Sequence, residues 1–211
     1  RGHRAGQGTQ GGEDQALGVH RFREIAKGRE KAYRRAKGAI SSPARRLPGR
    51  AMSLQREITL RFLAEPGDVN FSGKVHGGAV MRWIDLAGFA CAMGWSGMYC
   101  VTVYVGGIAF ENPIAIGDLV EVRARMMLTG SSSMHVGIEV CARDPRGDAM
   151  RRTTHCMMVF VAMADGKPAP VPAFEPASDE ERELQDYARR ISALRKDLDA
   201  ERHRFLRKFD G

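Results

Sequence analysis

The 211-residue chain carries 33 Lys and Arg against 25 Asp and Glu, a formal charge of +8, and the excess is unevenly placed. Residues 1–51 hold 13 basic and 4 acidic residues, which leaves 20 and 21 for residues 52–211, so the body of the chain is no candidate for an electrostatic nucleic-acid binder. Cys91, Cys100, Cys141 and Cys156 lie within apolar patterns without zinc or disulfide-framework spacing. No apolar run approaches the roughly 18 residues of a membrane span, and a cytoplasmic protein is expected.

Residues 1–51 are rich in Gly and basic residues and poor in large apolar ones. They are expected to be largely disordered, with a short basic helix around 20–37. Met52 as the natural start is one account of this segment, and a basic arm for nucleic acid or an anionic membrane is another. From Ser53 the pattern changes. Ile58, Leu60 and Phe62 alternate with Glu57, Thr59 and Arg61, the period of a half-buried strand. "AEPGDVNFSGK" reads as a loop, and residues 77–94, rich in Ala, Gly and Met, predict a helix with small residues on its packed faces.

Four strands follow, at 99–105, 118–128, 134–143 and 151–163, separated by the turn signals "ENPIAIGD", "TGSSS" and "DPRGD". One strand, one buried helix and four long strands predict an α+β domain over 52–175, an antiparallel sheet packed on a central helix. "DGKPAPVP" closes it, because that much proline cannot continue a ladder. Over 176–211, Ser178 and Glu181 have capping-box spacing, and Leu184, Tyr187, Ile191, Leu194 and Leu198 form a heptad stripe. This tail predicts an amphipathic helix that packs on the domain or on a second copy.

Asp85 stands out, since an ionised carboxylate on a small-residue helix is costly to bury unless it is paired or does chemistry. It lies seven residues beyond Gly78, hence near the same helix face. Paired glycines let a substrate approach the backbone, and the free N–H groups of a first helical turn can polarise a carbonyl. An acid further along could direct water at it, an arrangement that suits acyl transfer to water.

"N-x-x-G-x-V-H-G-G" followed by "M-x-x-I-D" in residues 70–85 resembles the hotdog-fold acyl-CoA thioesterases, as do "FENPIAIGDLVEV" at 110–122 and "GSSSMHVGIEV" at 130–140. The resemblance spans 52–175. It implies hydrolysis of acyl-CoA to a free acid and coenzyme A, with no metal or prosthetic group. By the same resemblance, Asp85 is the general base or nucleophile, the Gly78 amide polarises the thioester carbonyl, and Asn70 works with the acid of the facing subunit. His76 and Gly77 shape the substrate site, and Ser131, Ser132 and Ser133 lie near the coenzyme A moiety. A site built from two chains implies at least a homodimer, and many relatives are trimers of dimers. A hotdog module that binds acyl-CoA without turnover is the alternative. Arg151 and Arg152 read either as ligands for the nucleotide phosphates or as a solvated strand end.

Overall fold

The structure, a computed structural model, describes residues 54–147 and 149–208. The expectations for residues 1–51 fall outside them. The elements run β1 (Glu57–Leu63), a 3-10 turn (Pro66–Asp68), α1 (Gly77–Ser96), β2 (Tyr99–Phe110), β3 (Leu119–Thr129), β4 (Ser133–Arg143), β5 (Arg151–Ala164), β6 (Lys167–Pro168) and α2 (Asp179–Leu206). The strands form one antiparallel sheet in the order β1-β3-β4-β5-β2, with β6 paired to β5. A long helix on one face of such a sheet is the α+β hotdog arrangement.

Helix α1 buries Ala79, Val80, Trp83, Ile84, Ala87, Gly88, Cys91, Ala92 and Trp95, the three-and-four spacing of a helix with one side against a core. It ends where Gly97 takes φ 66° and donates its N–H to the Met93 carbonyl at 2.8 Å, a left-handed cap that glycine adopts without penalty. β4 alternates perfectly between buried and half-buried residues, so Met134, Val136, Ile138, Val140 and Ala142 all face α1. They share the core with Val120, Val122, Ala124 and Met126 of β3 and with Cys156, Met158, Phe160 and Ala162 of β5. Trp83 belongs to this core, edge-on to Phe62 at 4.9 Å between ring centroids.

Two departures from the sequence reading have a backbone cause. β2 does not stop at residue 105 but runs to Phe110, passing two register shifts, between Thr102 and Tyr104 and between Gly106 and Ala109. Gly107 at φ 60° absorbs the second shift, so the glycine pair is a bulge within the strand rather than its end. After β5, Asp165 and Gly166 at φ 51° and 75° make a tight hairpin turn, which returns Lys167 and Pro168 to the ladder.

The opposite sheet face is covered by the first part of α2. Leu184, Tyr187 and Ile191 pack with Ala188 against Met127, Leu128 and Met157. β5 is accordingly buried on both faces through its middle. The helix is capped by Ser178, whose Oγ accepts the Glu181 N–H, and Glu181 in turn pairs with Arg56 at 2.7 Å. Arg56 also lies over the rings of Trp95 and Phe174, which ties the end of α1, β1 and the start of α2 together. Ser192 closes the compact unit that holds the sheet, and Ala193 opens a second unit. In the latter, Arg195, Asp199, Glu201, Arg202 and Arg204 pair within the helix, while Leu194 and Leu198 of the heptad stripe are exposed. Among the described residues no helix is long and apolar enough to cross a membrane.

A Cβ on Gly88 would stand 2.8 Å from the fully buried Phe160 ring and 3.0 Å from Ile138, closer than real contacts allow. Gly88→Ala should therefore destabilise the fold by about 1–3 kcal/mol, despite the better helix propensity of alanine. Urea denaturation measures this, and an unchanged midpoint would show that the helix can lift freely from the sheet.

His155, beneath the Tyr187 ring at 6.1 Å, has its imidazole pKa held below the ordinary value, chiefly by burial. Glu139 and Glu111 pull the other way, Arg152 and Arg125 with it. The unfolded chain then binds the proton more readily, so stability is lost as pH falls below about 6.5 and through the folded pKa. Melting temperature should drop between about pH 7.5 and pH 5, and His155→Gln should flatten that slope.

Candidate active site

The loop that precedes α1 is held by its own side chains. Asn70 Oδ1 accepts from Ser72 N at 2.9 Å, Ser72 Oγ at 2.6 Å and Lys74 N at 3.3 Å. The Asn70 N–H donates to the Lys74 carbonyl at 2.8 Å, and Gly73, at φ 72°, returns its N–H to the Asn70 carbonyl at 2.9 Å. With Oδ1 occupied, the Asn70 amide nitrogen has no partner among the described residues and is left for a ligand or a second chain.

His76 is the N-cap of α1 in extended conformation, with no side-chain cap, and its carbonyl accepts the Ala79 N–H at 2.9 Å. Gly77 and Gly78 follow, and among the described residues neither N–H is used in a backbone bond. A Cβ at Gly78 would meet only His76 Nδ1, at 3.7 Å, so the space over this amide is open. At Gly77 it would meet the Phe110 ring at 3.2 Å, which places the end of β2 against the start of the helix. These glycines thus present two donors at the positive end of a 20-residue helix.

Asp85 is not buried. It lies on the exposed side of α1, opposite Trp83 and Ile84, where Thr102 Oγ1 of β2 donates to its Oδ1 at 2.7 Å. Oδ2 has no partner among the described residues. The sequence reading missed Thr102. The sequence carries no clear signal for it, because threonine suits the strand "YCVTVYV" as well as valine does.

Gly78 and Asp85 lie seven residues apart, hence on one helix face but roughly 10 Å apart along the axis. One carbonyl cannot touch both within one chain. Ser131, Ser132 and Ser133 stand at the other end of the sheet. The Ser131 and Ser132 carbonyls accept from Val171 and Ala162, and Ser133 pairs with Val161, which pairs with Val101 at the start of β2. Phe110 and the glycine pair are on the order of 25–30 Å away along that strand.

Arg151 and Arg152 are committed within the chain, Arg151 to Asp118 and the Pro113 carbonyl, Arg152 to Glu111. Burial pushes the thiols of Cys91 and Cys156 up to about 12 and that of Cys100 to about 11, so none is a ready thiolate. Among the described residues no group of three or more His, Cys, Asp and Glu could hold a metal ion.

Known proteins resemble this chain in sequence and in fold. The family described as the thioesterase superfamily matches residues 72–149. The acyl-CoA thioester hydrolase YciA of Salmonella typhimurium is 37% identical over 123 residues, 56% of this chain and 92% of its own. The chain belongs to the hotdog-fold acyl-CoA thioesterase family. Among solved structures, an acyl-CoA hydrolase from Staphylococcus aureus in complex with butyryl coenzyme A, coenzyme A and coenzyme A disulfide is 26% identical. It superposes with a TM-score of 0.68 over 74% of this chain and 96% of its own. The hexameric thioesterase y2039 from Yersinia pestis is 37% identical over 54% of this chain and 93% of its own, with a TM-score of 0.51.

Variants of the Staphylococcus hydrolase have also been solved in which an aspartate, an asparagine or a threonine is replaced by alanine. In that protein the asparagine precedes the aspartate by 15 residues and the threonine follows it by 17. Asn70, Asp85 and Thr102 have the same two spacings.

Proposed function

We propose that this protein hydrolyses acyl-CoA thioesters to the free carboxylic acid and coenzyme A, with Asp85 as its catalytic carboxylate. The observation that carries the reading is the Thr102–Asp85 hydrogen bond, which fixes one carboxylate oxygen and leaves the other to act. Asp85 either takes a proton from the attacking water or attacks the acyl carbon itself. The Gly78 N–H, with Gly77 beside it, holds the developing oxyanion. When the tetrahedral species collapses, the C–S bond breaks and coenzyme A leaves as its thiolate. Where water attacked, the thiolate takes back the proton that Asp85 holds. Where Asp85 attacked, the thiolate takes a proton from solvent, and a water then cleaves the acyl–Asp85 anhydride to release the acid and the carboxylate. His76 shapes the mouth of this site, and the serine turn at 131–133 lies towards the coenzyme A moiety.

The roughly 10 Å between Gly78 and Asp85 supports a site shared by two chains. If two α1 helices lie antiparallel about a two-fold axis between Met81 and Arg82, Gly78 of one faces the acid seven residues further on in the other. Met81 and Leu86 are exposed on this side of α1, and Val103, Val105 and Phe110 are exposed on β2, the outermost strand of the sheet order. So much exposed apolar surface around an open carboxylate fits an interface. The functional unit is accordingly a homodimer, or a larger ring of dimers, in which Asn70 and Gly78 of one protomer serve Asp85 of its partner.

Thiol release from acetyl-, butyryl- and palmitoyl-CoA tests the reaction. Asp85→Asn should lower kcat by about 10²–10⁴-fold. Thr102→Val should lower it by about 10- to 100-fold, the worth of one hydrogen bond to a charged group, and Thr102→Ser should recover most of that loss. A parent that binds these thioesters without releasing thiol would overturn the reading in favour of a non-catalytic acyl-CoA-binding module.

Co-expressed Asn70→Ala and Asp85→Asn chains test the shared site. A mixed dimer combines both lesions in one site and leaves the other intact, so activity should return well above either variant alone. No recovery in verified mixed dimers would place both residues in the same chain's site.

A further inference from the structure

Among the described residues the buried acid is Asp118, in the turn before β3, and the mechanism does not use it. It is 5% exposed, whereas Asp85 is open to solvent. Its Oδ2 accepts the Ala115 N–H at 2.9 Å and a hydrogen bond from Arg151. Arg151 reaches it from the first residue of β5 and also donates to the Pro113 carbonyl at 3.0 Å and the Ala142 carbonyl at 3.4 Å. The pair thus grips the 113–116 loop from below at two backbone positions.

That loop is bonded along its other edge to the segment that leads into α1. The Val75 N–H donates to the Ile114 carbonyl at 2.9 Å, the Ile116 N–H donates to the Gly73 carbonyl at 3.3 Å, and Lys74 bridges to Ala115. The segment is held from its opposite side as well, by the Asn70–Lys74 bond and by the His76 N–H on the Asp68 carbonyl at 3.1 Å. Asn70 lies at one end of this doubly bonded stretch and the Gly77 and Gly78 amides at the other. Ile114, 3% exposed, anchors the loop in the core.

We infer that Asp118 and Arg151 are positioning residues for the thioester site, acting through the 113–116 loop on Asn70 and on the glycine amides of α1. The inference rests on the function proposed above. A buried carboxylate with an arginine and a backbone N–H is strongly tied to one geometry, because losing the arginine leaves its charge uncompensated and losing the N–H leaves a hydrogen bond unmade. That stiffness is transmitted to the donors by backbone bonds alone. A displacement of about 1 Å at such donors can cost about 100-fold in rate.

The test compares Asp118→Ala, Asp118→Asn and Arg151→Lys with Phe174→Leu, a core change at the opposite end of α1, beside Trp95. Asp118→Ala should lower kcat for butyryl-CoA by about 100-fold while KM stays within about threefold. Asp118→Asn, which keeps an acceptor for Ala115, and Arg151→Lys should fall between it and the parent, and they carry the test if the alanine variant does not fold. Phe174→Leu should lower the melting temperature without lowering kcat. Hydrogen exchange supplies the readout independent of activity: the Val75 and Ile116 amides should exchange about tenfold or more faster in the Asp118 variants.

A folded Asp118→Ala protein with kcat near the parent's, or unchanged exchange at Val75 and Ile116, would overturn the inference. So would an equal kcat loss in Phe174→Leu. If the parent releases no thiol, the catalytic reading fails on its own, and the exchange result decides whether the clamp exists.

Discussion

The closeness with which helix α1 lies on the sheet is the constraint from which the rest follows. Gly88 sits directly beneath the Phe160 and Ile138 side chains, with Ala87, Cys91 and Ala92 as its small neighbours. A helix at that depth buries Trp83, Ile84 and Trp95 completely enough for each to contribute about 1.5–3 kcal/mol. It also fixes what the next turn can reach. Asp85, one residue past Ile84, meets a hydroxyl on β2 at 2.7 Å only because the helix axis is held that near to the strand. A larger residue at position 88 would raise the whole helix and open that hydrogen bond, so a packing requirement in the core sets the geometry of a polar group at the surface.

The two acids of interest divide along the line between core and surface. Among the described residues no buried side-chain nitrogen or oxygen lacks a hydrogen-bond partner. Asp118 achieves this with an arginine and a backbone amide. Asp85 instead keeps one oxygen uncommitted and remains in water. Under the function proposed above, the exposed apolar side chains around it are the material for a cover by a second chain and a bound acyl group.

Much of this was legible in the sequence, and the reasons differ by element. The period-two pattern of residues 134–143 and the small-residue stretch at 77–94 gave strand and helix because each must bury one face. The extension of β2 through Gly106 and Gly107 was not legible, since glycine reads equally as a strand end and as a bulge until a partner strand is known. Asp85 and the glycine pair stood out as an acid and a gap inside an apolar helix. Asp85 was nonetheless expected to be buried, and the structure places it on the exposed side of α1. Thr102 did not stand out, because a threonine in a strand is ordinary until its hydroxyl is seen to point at a carboxylate. Arg151 was weighed as a phosphate ligand on residue type alone, and only the packing of distant loops reveals that Asp118 already holds it.

That last point bears on how such sites are built. The donors at the start of α1 belong to a loop, and loops are the softest part of a fold. Rigidity could have come from burying the loop, but a buried amide donor would be closed to substrate. The chain instead leaves the donors in the open, bonds residues 73–76 behind them on both edges, and ties one of those edges to a half-buried ion pair. Under the inference drawn above, binding and positioning fall to different residues. The groups that would face the substrate can stay accessible because Asp118, several residues away in a buried place, holds the backbone behind them.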